Sequence, residues 1–214
     1  MPRTATTGNA LLGLLALRKR WTTWELTTQL RRNMRFFWPR AESRIFDEAR
    51  SLVTKGFARD RRTYTGKRAT TSYAITGDGR AALREWLATP PKPTTLECEP
   101  LLRVFLGDLG TIEQLRIATD QVRRDGHAIL EVGRVVGPEY LAGTAPFQDQ
   151  VHVRAFVLDF LSTHARMLID WADRTDATLD AWPRASEPRR TKMALDTIRD
   201  NLTAYPPPIE PIEP

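Results

Sequence analysis

Arginines and a serine cluster at the start of a helix that the sequence predicts between Pro39 and Lys55. Arg40, Ser43 and Arg44 carry hydrogen-bond donors and lie largely off the apolar stripe of this helix. That stripe consists of Ile45, Ala49, Leu52 and Val53, which recur at three- and four-residue steps. One face of the helix is therefore suited to a core, and another presents arginines and a hydroxyl outward. An ordinary amphipathic helix with solvated charges is the alternative interpretation.

A second group of cations surrounds a predicted turn at 65–68. The segments 57–64 and 69–75 each have the pattern of a strand, and Gly66 supplies turn chemistry between them. The sequence therefore predicts a two-stranded hairpin with a basic tip, which carries Arg59, Arg61, Arg62, Lys67 and Arg68. Because a lone hairpin is barely stable in water, we expect Phe57, Tyr73 and Ile75 to pack it on neighbouring helices.

Residues typical of catalytic or metal sites are few and scattered. His127, His152 and His164 have no metal-ligand partner at short spacing. The single cysteine, Cys98, has no motif around it. The sequence contains neither a phosphate-binding loop nor a nucleophile elbow. It therefore predicts no metal, no cofactor and no enzyme activity.

The formal charge of +6 is unevenly distributed along the 214 residues. Residues 1–95 carry a net charge of +12, and residues 96–214 carry −6. A concentrated basic module indicates a polyanionic partner, most often nucleic acid.

The cellular location can also be predicted from the sequence. The single cysteine fits a reducing compartment. The N-terminus lacks the layout of a secretory signal, and no apolar run approaches the roughly 20 residues of a membrane span. We therefore expect a soluble, cytoplasmic protein.

Residues 1–89 have the element order of a winged helix-turn-helix. Helices are predicted at 9–20, 23–34 and 39–55, then the hairpin, then a fourth helix at 78–88 capped by Thr76. Thr22 and Glu25 have the spacing of a capping box for the second helix, and Trp21-Thr22 breaks the pattern before it. The predicted inward residues are Trp24, Leu26 and Leu30 in the second helix and Ala82, Leu83, Trp86 and Leu87 in the fourth.

A proline-rich linker at 90–95 separates this module from a helical one at 96–182. Helices are predicted at 96–109, at 112–136 with Gly137-Pro138 as its end, and at 148–182. Residues 183–214 form an extra short helix, at about 189–202, and a proline-rich tail. The predicted fold class is mainly α with a small β-hairpin wing: an N-terminal winged helix-turn-helix followed by a C-terminal helical dimerisation domain.

The longest predicted helix, 148–182, is apolar along two stripes. One stripe contains Val151, Ala155, Leu158, Ala165, Ile169 and Ala172, and the other contains Val157, Phe160, Leu161, Leu168 and Trp171. A helix that is apolar on two faces has two partners. One partner is its own domain, and we expect the other to be a second subunit, which predicts a homodimer. The alternative is one small domain that covers both faces.

The arrangement resembles the PadR family of bacterial transcription regulators, in the branch with a helical C-terminal dimerisation domain. In the first module the resemblance depends on the segment 44–57, which ends in Leu52-Val53-Thr54-Lys55-Gly56-Phe57. It also depends on a wing pattern of Gly66-Lys67-Arg68, Tyr73, Thr76 and Gly79-Arg80. Departures include Phe46, which stands where the family usually has tyrosine, and Thr23-Trp24 where Gly-Tyr is common. Beyond Pro93 the match is in helix layout and in a weak motif at 101–106.

The resemblance implies a dimeric repressor that binds an inverted repeat in double-stranded DNA. The third helix would enter the major groove by its N-terminal end, with Arg40, Ser43 and Arg44 as contacts to bases or phosphates. Arg44 could instead pair with Glu48 one turn later. Arg61, Arg62, Lys67 and Arg68 would hold phosphates, with solvated loop charges as the alternative.

Family members often respond to a small molecule, frequently an aromatic one. Phe160 and Trp171, together with Tyr140 and Trp182, are the candidates to line an effector pocket, and plain core packing is the alternative for them. Two other functions remain open from the sequence: a winged-helix adaptor that binds protein, and a nonspecific nucleic-acid-binding protein.

Overall fold

The computed structural model describes residues 4–65, 68–182 and 187–204. The chain divides into two compact units, Met1–Leu96 and Glu97–Pro214. The predicted turn residues Gly66 and Lys67 lie outside the described residues, as do the predicted proline-rich tail at 205–214 and residues 183–186 that precede the last helix. Of Arg68 only the backbone is described.

The first unit consists of four helices and three strands in its described residues. They are α1 (Thr6–Leu17), β1 (Trp21–Thr22), α2 (Thr23–Met34), α3 (Glu42–Thr54), β2 (Ala58–Thr65), β3 (Arg68–Ile75) and α4 (Gly77–Leu87). Helix α1 lies at the centre, in contact with α3, α4 and β3. Its leucines at 11, 12, 14 and 15 are all buried, as its wide apolar face predicts.

The sheet has three strands in the order β1-β3-β2, all antiparallel. The predicted two-stranded hairpin is present, but β1 was not predicted, because Trp21-Thr22 has only the pattern of a break before the second helix. Trp21 pairs with Tyr73 across β1 and β3, and the side chains of both are buried. The added strand satisfies the free edge of β3 and packs the hairpin on the helices, which supplies the support that a lone hairpin lacks.

Helix α2 begins with the capping box that the sequence predicts. The Thr22 hydroxyl accepts a hydrogen bond from the Glu25 amide, and the Glu25 carboxylate accepts one from the Thr22 amide. The prediction that Trp24 is buried was wrong, because its side chain is 73% exposed. Leu26, Thr27 and Leu30 form the buried side of α2, and at 100° per residue Trp24 projects well away from it.

Helix α3 begins at Glu42, three residues later than predicted. Pro39 and Arg40 lie in the connection before it, and the N-cap residue Ala41 has extended backbone angles. The apolar stripe at Ile45, Ala49 and Leu52 is buried as predicted. The chain reverses after α3 at Gly56, whose φ of +76° lies in the left-handed region that favours glycine.

Helix α4 is attached to the sheet at its start. The Thr76 hydroxyl accepts a hydrogen bond from the Gly79 amide and donates one to the Gly56 carbonyl. A Cβ at Gly79 would overlap the Phe57 carbonyl, so only glycine fits this contact. The prediction that Trp86 and Leu87 face inward was wrong, because α4 meets the core near its first turn and both side chains are exposed.

The described part of the second unit is entirely helical. Its helices are α5 (Glu99–Phe105), α6 (Ile112–Leu141), α7 (Val151–Ala181) and α8 (Glu187–Ala204), with short 3-10 turns at Gly107–Leu109 and Gln148–Gln150. Helix α5 is shorter than the predicted helix at 96–109. Helix α8 includes the predicted helix at 189–202 and is longer by two residues at each end.

Helices α6 and α7 pack along each other. The buried residues of α7 are Ala165, Ala172 and Leu179, spaced at seven residues. They face a buried side of α6 that contains Leu115, Ala118, Thr119, Val122, Gly126 and Ile129. Small residues on both helices allow the two backbones to approach closely.

The prediction that α6 ends at Gly137-Pro138 was wrong, because the helix continues through both residues. Pro138 removes one backbone donor, but it lies in the last turn and is exposed to solvent. The helix ends instead before Gly143, which has a φ of +73°. Gly143 therefore occupies the C-terminal position that a left-handed glycine commonly fills.

In the described ranges of the chain, none of the helices is both long and apolar enough to cross a membrane.

Candidate nucleic-acid interface

The outward side of α3 carries Ser43, Asp47 and Arg50. All three are exposed, and they lie opposite the buried stripe of this helix. Ser43 was predicted to face outward, whereas Arg50 was not among the predicted contact residues. Its spacing of seven residues from Ser43, two helical turns, is the signal that could have found it.

Arg40 lies just before α3 and is stacked on Trp38. Its guanidinium carbon is 4.2 Å from the centre of the Trp38 ring. The indole N–H of Trp38 donates a hydrogen bond of 3.2 Å to the hydroxyl of Thr7, which is buried in α1. The connection before α3 is thereby attached to the core, and the Arg40 guanidinium is held beside the start of the helix.

Arg44 forms an ion pair with Glu48 one turn later in α3. The distance from Arg44 Nη2 to Glu48 Oε1 is 3.4 Å. The Arg44 side chain is 61% exposed, whereas that of Glu48 is only 10% exposed. Of the two roles left open by the sequence, the free protein therefore shows the intramolecular pair, with Arg44 still accessible from solvent.

Carboxylates accompany the other arginines around α3. Arg31 of α2 pairs with Glu42 at 3.1 Å, and Arg50 pairs with Asp47 at 3.8 Å. Helix α3 contains three acidic and two basic residues, so its own net charge is −1. The positive charge that would attract a polyanion therefore comes mostly from the segments on either side of α3.

The strands of the wing present Arg61 and Arg62 on opposite faces. Arg61 pairs with Ser72 and Arg62 with Thr71 across the two strands, and consecutive strand residues point to opposite sides. Both arginines are exposed, and Arg62 lies over the ring of Tyr64 at 5.6 Å. Lys67 is outside the described residues and the Arg68 side chain is not described, so their predicted phosphate contacts stay predictions.

Tyr73 connects the base of the wing to α3. Burial raises the pKa of its hydroxyl, and the nearby Asp60 carboxylate acts in the same direction. The Arg50 guanidinium and a hydrogen bond with Thr23 oppose this shift in pKa. The outward arginine of α3 thus lies close enough to the base of the wing to influence it electrostatically.

A cleft separates α2, the start of α3 and β3. Its volume is about 570 Å³. It is lined by Thr22, Thr23, Trp24, Thr27, Thr28, Arg31, Glu42, Phe46, Ala69, Thr70 and Thr71. Trp24, which was predicted to face the core, instead lines this cleft. The cleft makes the helix start and the wing parts of one continuous surface rich in hydroxyl groups.

The predicted effector residues lie apart on α7. Phe160 is 64% exposed and stacks on His164 with ring centres 6.4 Å apart, whereas Trp171 is half-buried. Eleven residues of helix separate the two aromatic residues by roughly 16 Å along the axis. Neither residue lines the cleft between α2, the start of α3 and β3. The effector pocket therefore stays a prediction.

No group of three histidine, cysteine, aspartate or glutamate side chains that could hold a metal ion occurs among the described residues.

Comparisons with known proteins relate the chain to transcriptional regulators. No family model matches the sequence. Over 118 residues, 54% of this chain, the sequence is 29% identical to the negative transcriptional regulator PadR of Bacillus subtilis (strain 168). The matched region spans 64% of the length of that protein.

Solved structures share the fold over most of their length. The PadR-like transcriptional regulator BC1756 from Bacillus cereus has a TM-score of 0.68 and 17% identity, over 82% of this chain and 99% of its own. Bacillus subtilis PadR in complex with operator DNA has a TM-score of 0.65 and 21% identity over the same shares. The same protein in complex with p-coumaric acid has a TM-score of 0.60. These matched proteins are regulators of transcription.

Proposed function

We propose that this chain is a PadR-like transcriptional regulator, and specifically a dimeric repressor that binds an inverted repeat at promoters. The observation that carries the proposal is the side of α3 opposite the core. Ser43 and Arg50 are exposed there, Arg40 and Arg44 flank it, and the basic wing begins beside it. The DNA complex of Bacillus subtilis PadR, which has the same fold, supports this assignment.

In this proposal α3 enters the major groove by its N-terminal end. Arg40, Ser43 and Arg44 contact bases or phosphates there. A bidentate contact from Arg44 to guanine is worth about 1–3 kcal/mol of discrimination. On the wing, Lys67, Arg68 and whichever of Arg61 and Arg62 faces the DNA hold phosphates. These contacts position the protein without reading the sequence. The protein would act where promoter DNA is, in the bacterial cytoplasm.

In this proposal the dimer forms through the first half of α7. Val153, Phe156, Val157 and Phe160 recur at helical spacing and are all exposed. An apolar stripe of this kind on a helix calls for a partner. A two-fold dimer presents two copies of α3 roughly 34 Å apart, about one turn of DNA. Repression is then steric, because the dimer covers a promoter.

Control by a small aromatic molecule completes the proposal. Phe160 and Trp171 are its candidate contacts, and the p-coumaric acid complex of Bacillus subtilis PadR supports the ligand class. A ligand shifts the protein between DNA-competent and incompetent geometries only if it binds the two states with different affinity. Binding of such a ligand should therefore lower operator affinity, which fluorescence anisotropy of a labelled operator would measure.

Selection of genomic fragments with the purified protein tests the proposed function. We expect enrichment of an inverted repeat upstream of genes. The matched control is the double variant Arg61→Ala/Arg62→Ala, which should recover the same fragments at lower yield because it loses phosphate contacts and keeps α3. Binding without enrichment would indicate a nonspecific nucleic-acid-binding protein. No binding at low salt would indicate an adaptor that binds protein through its winged helix.

A further inference from the structure

We propose that Glu48 is a specificity-determining residue, because its buried carboxylate competes with DNA for the guanidinium of Arg44. The inference rests on the proposed function, since it concerns how α3 distinguishes a matching DNA sequence from others. Glu48 faces the core of the protein, so it would influence DNA specificity through Arg44 and not by touching DNA itself.

The Glu48 carboxylate is held in a narrow space between α3 and α1. Its side chain is 10% exposed, and a Cβ added at Gly8 of α1 would lie 3.1 Å from Glu48 Oε2. Glycine at position 8 therefore leaves the room that the carboxylate occupies. Among the ion pairs of the described residues, Arg44 is the cation that neutralises it, at 3.4 Å.

A buried carboxylate cannot lose its cation without cost. Removing one partner from a buried ion pair leaves a charge without compensation in a poorly solvated place, which is strongly unfavourable. If Arg44 turns toward DNA, it must therefore gain more from the DNA than it loses at Glu48. A bidentate contact to the correct guanine offsets more of this loss than a single contact to a wrong base or a phosphate.

The other two carboxylates near α3 do not impose this threshold. Glu42, which pairs with Arg31, and Asp47, which pairs with Arg50, are both more than half exposed. When their arginines move, water solvates them, so exchange of these pairs has little cost on any DNA sequence. Burial is thus what makes the Glu48 pair selective.

The test compares wild type with Glu48→Gln on two duplexes, the selected inverted repeat and the same duplex with its half-sites scrambled. The neutral amide has the same shape and releases Arg44. We expect affinity for the scrambled duplex to rise roughly three- to tenfold, with a smaller gain on the selected site. The discrimination ratio should therefore fall, whereas damage to the fold would weaken both complexes.

Two controls separate this effect from a general change in charge. Glu42→Gln removes the same charge from an exposed pair, so it should raise both affinities in equal proportion. In an Arg44→Ala background, Glu48→Gln should no longer change the ratio, because the arginine for which it competes is absent. Glu48→Asp, which withdraws the carboxylate by one methylene and keeps its charge, should give a partial effect if the amide variant fails to fold.

An unchanged ratio in both folded Glu48 variants would overturn the proposal, as would a change that persists in the Arg44→Ala background. Failure of the proposed function is recognised separately, because the wild-type protein would then bind the selected and scrambled duplexes equally. The wild-type ratio is measured first for this reason.

Discussion

At the scale of single residues, Gly126 shows how a close approach of two helices depends on one missing side chain. A Cβ at this position would lie 2.7 Å from Ile169 Cγ1 and 2.8 Å from the Ala165 carbonyl oxygen of α7. From residue type alone, a glycine inside a helix indicates only a loss of helix stability relative to alanine. Its packing role could not be predicted, because it depends on which residues of α7 lie opposite.

Gly126→Ala should therefore destabilise the protein by about 1–3 kcal/mol, the usual cost of overpacking a close contact. Urea denaturation followed by circular dichroism measures the change in the free energy of unfolding. Gly137→Ala is the matched control, because it lies in the same helix and an added Cβ meets nothing within 4 Å. The control should stabilise the helix by about 0.5–1 kcal/mol, and equal effects of the two substitutions would refute the packing role.

Asp176 makes the stability of the α6–α7 pair depend on pH. Burial alone raises the pKa of its carboxyl, but hydrogen bonds from Arg123 and Thr119 outweigh burial and lower it below the ordinary value of 3.8. Thr119 donates at 2.7 Å, and Arg116 lies 3.8 Å away. A lowered pKa in the folded state means that the carboxylate stabilises the fold above pH 3.8 and ceases to do so as the pH falls through the folded pKa.

Asp176→Asn should accordingly cost about 1–2 kcal/mol of stability at pH 7. The difference from wild type should shrink as the pH is lowered below 3.8. Chemical denaturation of both proteins at a series of pH values measures this difference. A difference that stays constant across the series would show that the charge of Asp176 is not what stabilises the pair.

At the scale of elements, local signals in the sequence predicted more than contacts between distant segments. The capping box at Thr22 and Glu25 places the start of α2, since its hydrogen bonds lie within three residues. Strand β1 was missed because two residues carry little pattern and their partners, Tyr73 and Ser72, are some 50 residues away. The predicted end of α6 at Gly137-Pro138 was wrong for the opposite reason. Proline is a strong local signal for the end of a helix, but it is tolerated in an exposed last turn.

The candidate site was predictable to a similar extent. Ser43 and Arg44 could be placed at the exposed start of α3 from its apolar stripe alone. The stacking of Arg40 on Trp38 and the burial of Glu48 could not be predicted, since both depend on α1, which contributes Thr7 and Gly8. Phe156 was not predicted to belong to an apolar face of α7, since it lies in neither predicted stripe, yet it is 75% exposed beside the other apolar residues.

The opposite orientations of Arg61 and Arg62 lead to a prediction for the wing. Only the residue on the face toward DNA should contact a phosphate, so one single alanine variant should reproduce most of the effect of the double variant. Each lost phosphate contact lowers the slope of log affinity against log salt by about 1. Arg84→Ala, which removes an exposed charge from α4 outside the wing, should leave the slope unchanged. Equal, additive losses from the two wing residues would contradict the opposite orientation.

At the scale of the whole molecule, a basic first unit is joined to a second unit with an exposed apolar stripe on α7. The charge distribution was evident from the sequence, and so was the expectation that α7 has two faces. The structure adds which half of α7 remains uncovered: Val153, Phe156, Val157 and Phe160 are exposed, whereas Ala165, Ala172 and Leu179 are buried against α6. The dimer itself remains a proposal.

Phe156→Asp together with Phe160→Asp should therefore weaken self-association by about tenfold or more, because truncating buried aromatic anchors commonly costs at least 1.4 kcal/mol. Sedimentation equilibrium measures the dissociation constant of the dimer. Leu141→Asp is the control, since Leu141 is an isolated exposed residue at the end of α6. If the double variant associates as strongly as wild type, this stripe is not the dimer interface.

The central claim is that α3 and the wing together recognise one DNA sequence. The most direct test is the affinity of the full chain for the selected inverted repeat and for a scrambled duplex, each at several salt concentrations. We predict a preference of roughly a thousandfold or more for the repeat, with both affinities falling steeply as salt rises because phosphate contacts release counterions. Equal affinity for the two duplexes, or affinity insensitive to salt, would contradict the account.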